Sequence, residues 1–161
     1  MAGEIVERAS GADRLALVGI RRGGVPIAEA LARQIEVLEH VCVPIGAVDI
    51  ALYRDDAATA LPKPQIGRSE IPFQVEERRI VLVDDVLYTG RTVRAALDAL
   101  LDYGRSPKIE LAVLVDRGGR ELPIQPDYVG RIADAGSEDR VEVTCDAQGV
   151  RATVYAGKGA P

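Results

Sequence analysis

Residues 79–92 read RIVLVDDVLYTGRT. An apolar run, Ile80 to Val83, leads straight into two acids, Asp84 and Asp85, and then into a short loop carrying Thr89, Gly90, Arg91 and Thr92. A helical pattern begins directly afterwards. This order constrains the fold more than any other stretch: a buried strand, a polar loop and a helix N-terminus, with carboxylates at the strand end and small donors on the loop.

The order of groups suits a phosphorylated sugar. A helix N-terminus leaves its first backbone N–H groups without intrahelical partners and carries partial positive charge, so an oxyanion placed there satisfies both. Gly90 permits close approach or a positive φ. Thr89 and Thr92 add hydroxyl donors, Arg91 adds charge, and Asp84 and Asp85 can accept from ribose hydroxyls. TGRT alone would read as an ordinary turn with a threonine helix cap; the two acids before it favour the sugar phosphate. Adjacent strand residues point to opposite faces, so both acids reach one ligand only where the strand is ending.

The alternation continues along the chain. Leu15 to Ile20, Val41 to Leu52 and Ile109 to Val115 are further strand candidates, Val25 to Ile35 and Val93 to Leu101 are helical, and residues 2–9 suit one short helix. Strands alternating with helices predict an α/β fold, a central, mostly parallel sheet flanked by helices, as a single domain over residues 1–161. Such sheets bind ligands at the carboxyl ends of their strands. Arg21-Arg22-Gly23-Gly24, the DD–TGRT stretch and Asp116-Arg117 should therefore gather on one edge. The RRGG loop suits a pyrophosphate, with charge from arginine and amides from a backbone unhindered by Cβ; a solvated βα loop is its alternative. Residues 54–72, with Pro62, Pro64 and Pro72, form a long connection of the kind that often serves as a lid. Val141 to Val143 and Val150 to Tyr155 are expected to pair as a hairpin.

Composition narrows the class. Of the 161 residues 47% are hydrophobic but only 4% aromatic, so Val, Leu, Ile and Ala must build the core. A net charge of −5 argues against a general nucleic-acid or membrane-surface binder. No apolar run has transmembrane length, and a cytoplasmic protein is expected. Cys42 and Cys145 show no metal or disulfide spacing and read as buried small hydrophobes. His40 reads as a helix-end cation or surface residue. No metal-ligating set is assigned.

VLVDDVLYTGRT resembles the phosphoribosyl pyrophosphate (PRPP) signature of type I phosphoribosyltransferases. LALVGIRRGG (15–24), VDIALYRDD (48–56), LDYGR (101–105) and LAVLVDRGGRELPIQPDYVG (111–130) are similar to the PyrR family of pyrimidine operon regulators and uracil phosphoribosyltransferases. The resemblance implies the type I phosphoribosyltransferase fold with a small hood and a flexible loop, and the conversion of uracil and PRPP to UMP and pyrophosphate. It implies that Arg21, Arg22 and Gly23 hold the diphosphate, that Asp84 and Asp85 face the ribose, that Val86, Leu87 and Tyr88 belong to the PRPP/UMP site, and that Thr89, Gly90, Arg91 and Thr92 hold the 5′-phosphate. Arg54, within Tyr53-Arg54-Asp55-Asp56, would be the closing cation of the flexible loop. Arg22, Arg54 and Asp85 are the catalytic candidates.

The acceptor base is implied to lie between Asp116, Arg117 and Tyr128-Val129-Gly130. Backbone groups around Val129 would read uracil, and Tyr128 would pack on its ring. The alternatives are a core edge strand for DYVG and surface cations for Arg117 and Arg120. Mg²⁺ is expected to be held mainly by PRPP oxygens and water. Self-association as a homodimer or homotetramer is expected, and leader mRNA is the family's further partner.

The chain also departs from that pattern. Tyr88 stands where purine-type enzymes carry a third acid, which leans toward a pyrimidine acceptor. Gly119 replaces the histidine of VDRGHRELP, and the acidic Arg131 to Asp139 replaces the usual KN(I/V)PTSRSE; both weigh against RNA binding. The alternatives to a uracil enzyme are an RNA-binding attenuator with little or no catalysis and a phosphoribosyltransferase for another base.

Overall fold

The computed structural model describes residues 1–51, 53, 68–146 and 149–157. In chain order they form α1 (Ala2–Ala9), β1 (Leu15–Ile20), α2 (Gly24–Glu39), β2 (Ile45–Val48), a 3-10 turn (Val75–Glu77), β3 (Arg79–Leu87), α3 (Arg91–Leu101), β4 (Lys108–Asp116), β5 (Tyr128–Ile132), β6 (Arg140–Asp146) and β7 (Gly149–Tyr155). The first five strands make one parallel sheet in the order β2-β1-β3-β4-β5, and β6 and β7 pair antiparallel beside it.

The short apolar runs are buried on both faces, as a parallel sheet demands. Along β3, Ile80 and Leu82 join one core with Val93, Ala95, Ala96, Ala99 and Leu100 of α3. The intervening Val81 and Val83 join a second core with Ile27, Ala28, Leu31 and Ile35 of α2 and Ile5 of α1. At the amino ends of β3 and β4, Arg79 and Lys108 flank Glu110, which is only 3% exposed.

Three expectations need correction. Val41 to Leu52 is a strand only over Ile45–Val48. Pro44 has no N–H for a ladder, and the Asp49 carboxylate, accepting from the Ala51 N–H at 2.9 Å, turns the chain after β2. Cys42 and Cys145 are exposed rather than buried: Cys42 lies beyond α2, where its thiol donates to Glu36, and Cys145 lies on the hairpin. Tyr128 is the third, packed at 2% exposure in the α2-side core. The hairpin itself pairs as expected, over a longer span than the apolar residues mark. His40 is the exposed C-cap of α2 at φ 56°. Arg54, Asp55 and Asp56 lie outside the described residues, as does most of the long connection. Among the described residues, no helix is long and apolar enough to cross a membrane.

Candidate active site

Strand order places the site. The chain leaves β1 through α2 toward β2, and leaves β3 through α3 toward β4. The two crossovers diverge and open a crevice at the carboxyl ends of β1 and β3. Pairing of β1 with β3 ends at Gly19↔Val83, while β3 runs on beside β4 to Leu87↔Asp116. Asp84 and Asp85 are the first β3 residues past that last pairing, so the crevice begins at the acids.

The two acids live in different surroundings. Asp84 is 4% exposed. Burial and then the charge of Asp85 push its carboxyl well above the usual carboxylate range, against the opposing hydrogen bond that the Asp85 N–H donates to Oδ1. Asp85 is half-buried, and its Oδ1 accepts from the Val86 N–H at 2.8 Å. Its other oxygen lies over Gly23, where a Cβ would stand 2.1 Å from Oδ2. At Gly24 a Cβ would stand 2.1 Å from the Val83 carbonyl oxygen. Only glycines let the loop after β1 lie this close to the acid end of β3. The diphosphate and ribose candidates are thereby brought together. Arg22 is exposed at this loop, and the Arg21–Arg22 peptide is cis. The Arg21 N–H donates to the Val48 carbonyl, and its guanidinium stands 3.6 Å from Glu70.

The next turn carries the phosphate candidates. Gly90, at φ 92°, is the N-cap of α3, and no side chain caps that helix. The Arg91 N–H reaches Thr89 Oγ1 only at 3.4 Å. Thr92 is exposed on the first turn, and Val86 is half-buried. Leu87 is 1% exposed within the α3-side core, so its backbone alone can serve a ligand. The Arg91 guanidinium donates to Glu121 at 2.7 Å.

Asp116 ends β4 in register with Leu87 and faces the segment 117–124. Its carboxylate accepts from Arg120 at 2.6 Å and from the Gly118 N–H at 2.9 Å. Arg117 stacks over the Tyr88 ring at 4.2 Å and donates to the carbonyls of Gly136 and Asp139, carrying the chain toward the hairpin. Neither Arg117 nor Arg120 is an ordinary surface cation. Val129 is half-buried beside Val113.

Tyr128 does not face this edge. It is 2% exposed, lies beside Ala112 in the α2-side core, and its hydroxyl donates to Glu110 at 3.2 Å. Its partner Ala112 sits deep in the sheet, whereas Asp116 pairs with Ile132. The DYVG segment is an edge strand with its tyrosine packed inward, and a ring-stacking role for Tyr128 is excluded by burial. The bridging work of Arg120 and Glu121 was missed because their partners on the phosphate loop lie some thirty residues earlier. The only local signal is a cluster of charges around paired glycines.

A glycine-capped helix N-terminus and two acids at the switch point of a parallel sheet fit a sugar-phosphate or nucleotide-binding α/β protein. Comparison with known proteins makes this particular. The phosphoribosyl transferase domain family matches residues 1–144. The chain is 55% identical over 143 residues to Bifunctional protein PyrR of Deinococcus deserti, covering 89% of this chain and 78% of that protein. It is 52% identical over 147 residues to the protein of the same name in Geobacter sulfurreducens, covering 91% and 83%. The chain therefore belongs to the phosphoribosyl transferase domain family, in its PyrR branch. Its fold matches the crystal structure of a hypoxanthine-guanine phosphoribosyltransferase from Bacillus anthracis, with a TM-score of 0.64 at 17% identity over 83% of this chain and 75% of that one.

Proposed function

We propose that this chain is a uracil phosphoribosyltransferase, joining uracil to the ribosyl phosphate of PRPP and releasing pyrophosphate. The observation that carries the reading is the seating of Asp85 on Gly23 at the switch point, beside the uncapped N-terminus of α3. One crevice thus offers cations and amides after β1, carboxyls on β3 and a phosphate cradle after β3.

Departure of pyrophosphate leaves positive charge on the ribose, by analogy with glycoside chemistry. Arg21 and Arg22 hold the diphosphate, and Thr89 to Thr92 hold the 5′-phosphate. Asp85, as a carboxylate, accepts from a ribose hydroxyl. Asp84, buried beside it at the end of β3, offers a second carboxyl group toward the ribose. These groups fix the donor and preorganise charge around it, without a covalent nucleophile. Arg54 is the proposed closing cation. The acceptor lies against Asp116, Arg117 and the backbone near Val129. Mg²⁺ would enter the crevice with the diphosphate and be held mainly by its oxygens and water. Bound there, the ion offsets the negative charge of the departing pyrophosphate.

Turnover of uracil, cytosine, orotate, hypoxanthine and guanine with PRPP and Mg²⁺ tests the reading. UMP formation faster than the other four products is expected; no turnover with uracil, or faster turnover of a purine, overturns it.

Its relatives are named bifunctional proteins, and the resemblance to pyrimidine operon regulators makes a nucleotide-responsive action on messenger RNA the second role to weigh. The acidic stretch 131–139 and the internal engagement of Arg117 and Arg120 oppose it. A salt-dependent gel shift with the chain's own leader RNA decides: absence of specific binding removes this role.

A further inference from the structure

The phosphate cradle is held from behind by the segment that follows β4. The Tyr88 carbonyl accepts from Arg120 Nη1 at 3.1 Å. The Thr89 carbonyl accepts from the N–H groups of Glu121 and Leu122, at 3.0 and 3.1 Å. Leu122 and Ile124 close on Gly90, where a Cβ would stand 3.4 Å from each. Both peptides after these carbonyls are trans. In a planar trans peptide the C=O and the following N–H point in opposite directions. With both carbonyls turned onto residues 120–122, the N–H groups of Thr89 and Gly90 are turned away from that segment.

Arg120 is the centre of this clasp. Its guanidinium also donates to Asp116 Oδ2 at 2.6 Å, to the Ile124 carbonyl at 3.0 Å and to the Gly118 carbonyl at 3.2 Å. At 15% side-chain exposure it is largely withdrawn from water. One planar cation thus ties the phosphate loop to both ends of the segment proposed to face the acceptor base.

We propose that Arg120 is a positioning residue that aims the amides of Thr89 and Gly90 at the donor's 5′-phosphate and couples that loop to the acceptor segment. The inference rests on the phosphoribosyltransferase reading above, because it takes the turn after β3 as the phosphate cradle. Arg120 itself touches no substrate. It sets the direction of dipoles that would otherwise reorient when the anion arrives.

Calorimetry with ribose 5-phosphate, and separately with pyrophosphate and Mg²⁺, tests the proposal on wild-type, Arg120→Gln and Arg120→Lys proteins. Arg120→Gln should weaken ribose 5-phosphate about tenfold or more and leave pyrophosphate within about twofold, because pyrophosphate is assigned to the loop after β1. Arg120→Lys should fall between, since an ammonium keeps the charge but not the planar fork. Unchanged ribose 5-phosphate affinity, or equal loss of both ligands, overturns the positioning role. A second measurement needs no variant: titrating ribose 5-phosphate into ¹⁵N-labelled wild-type protein should shift the Thr89 and Gly90 amides. Binding that leaves those two amides unmoved overturns the proposal even if the variants misfold. Wild-type protein that binds neither ligand overturns the proposed function beneath it instead.

Discussion

Gly23→Ala should separate the stability of this protein from its activity. Gly23 has φ −67° and ψ −32°, a conformation open to any residue. Alanine at such a position stabilises by about 0.4–1 kcal/mol through the unfolded chain. The new Cβ would stand 2.1 Å from Asp85 Oδ2 and 2.4 Å from Cγ, where ordinary contact begins at 3.4 Å. The carboxylate must therefore retreat by more than 1 Å or change rotamer. An off-rotamer side chain costs about 0.5–1.5 kcal/mol, and loss of the Val86 N–H bond costs about 1 kcal/mol more. Set against the gain, these costs leave a net loss of about 0.5–2 kcal/mol, which urea unfolding should show. A displacement of about 1 Å at a reacting centre can cost about a hundredfold. The expected result is a folded protein with kcat/KM for PRPP reduced on that scale. Gly24→Ala is the control: its Cβ would meet the Val83 carbonyl oxygen at 2.1 Å, and backbone cannot retreat as a carboxylate can. That variant should lose about 1–3 kcal/mol of stability. Full activity in folded Gly23→Ala protein would remove Asp85 from the donor site.

Further outcomes follow from the other buried and strained groups. Asp84→Asn should raise the Tm at pH 7, because a carboxyl with a raised folded pKa contributes stability that is lost as pH rises through that pKa. The same variant should weaken PRPP by up to about tenfold, the worth of one hydrogen bond; a lowered Tm with unchanged PRPP affinity would contradict both parts. Burial alone would raise the Glu110 carboxyl, but hydrogen bonds from Arg79 and Lys108 outweigh it and bring it to about 2, below the ordinary 4.5. Its contribution, about 3 kcal/mol at most, is present above pH 4.5 and lost as pH falls toward 2. Urea unfolding of Glu110→Gln between pH 5 and 2.5 should show a flattened acid slope, and a wild-type slope would exclude this ion cluster as its source. Gly119→Ala places a Cβ 2.3 Å from the Tyr88 ring at φ +72°. It should cost about 2 kcal/mol from left-handed strain and the disturbed Arg117 stack; a loss below about 0.5 kcal/mol in urea would show that the ring moves freely.

The fold and the strand–loop–helix turn after β3 were legible because both depend on near neighbours in the chain. The apolar run at Ile80 to Val83, the acids after it and the glycine before the helix state a strand, a crevice edge and a helix start in consecutive residues. The hairpin and the helix-ending His40 were readable for the same reason. Strand ends were less so, since the limits of β2 depend on Pro44 and on Ser69, which accepts from the Asp49 N–H across twenty residues.

The sequence by itself determined an alternating strand–helix chain with a glycine-capped helix start after its central strand, and the residue types that suit a sugar phosphate there. Tertiary structure alone decided which side chains stand at the crevice. It withdrew Tyr128 into the core against Glu110, left both cysteines exposed, gave Asp84 and Asp85 unlike surroundings, and turned Arg120 from a surface charge into the tie between two loops. The physical reason is range. Periodicity and turn chemistry act over a few residues, whereas burial and hydrogen-bond partnership depend on strand register and crossover direction, which bring together atoms that the chain keeps far apart.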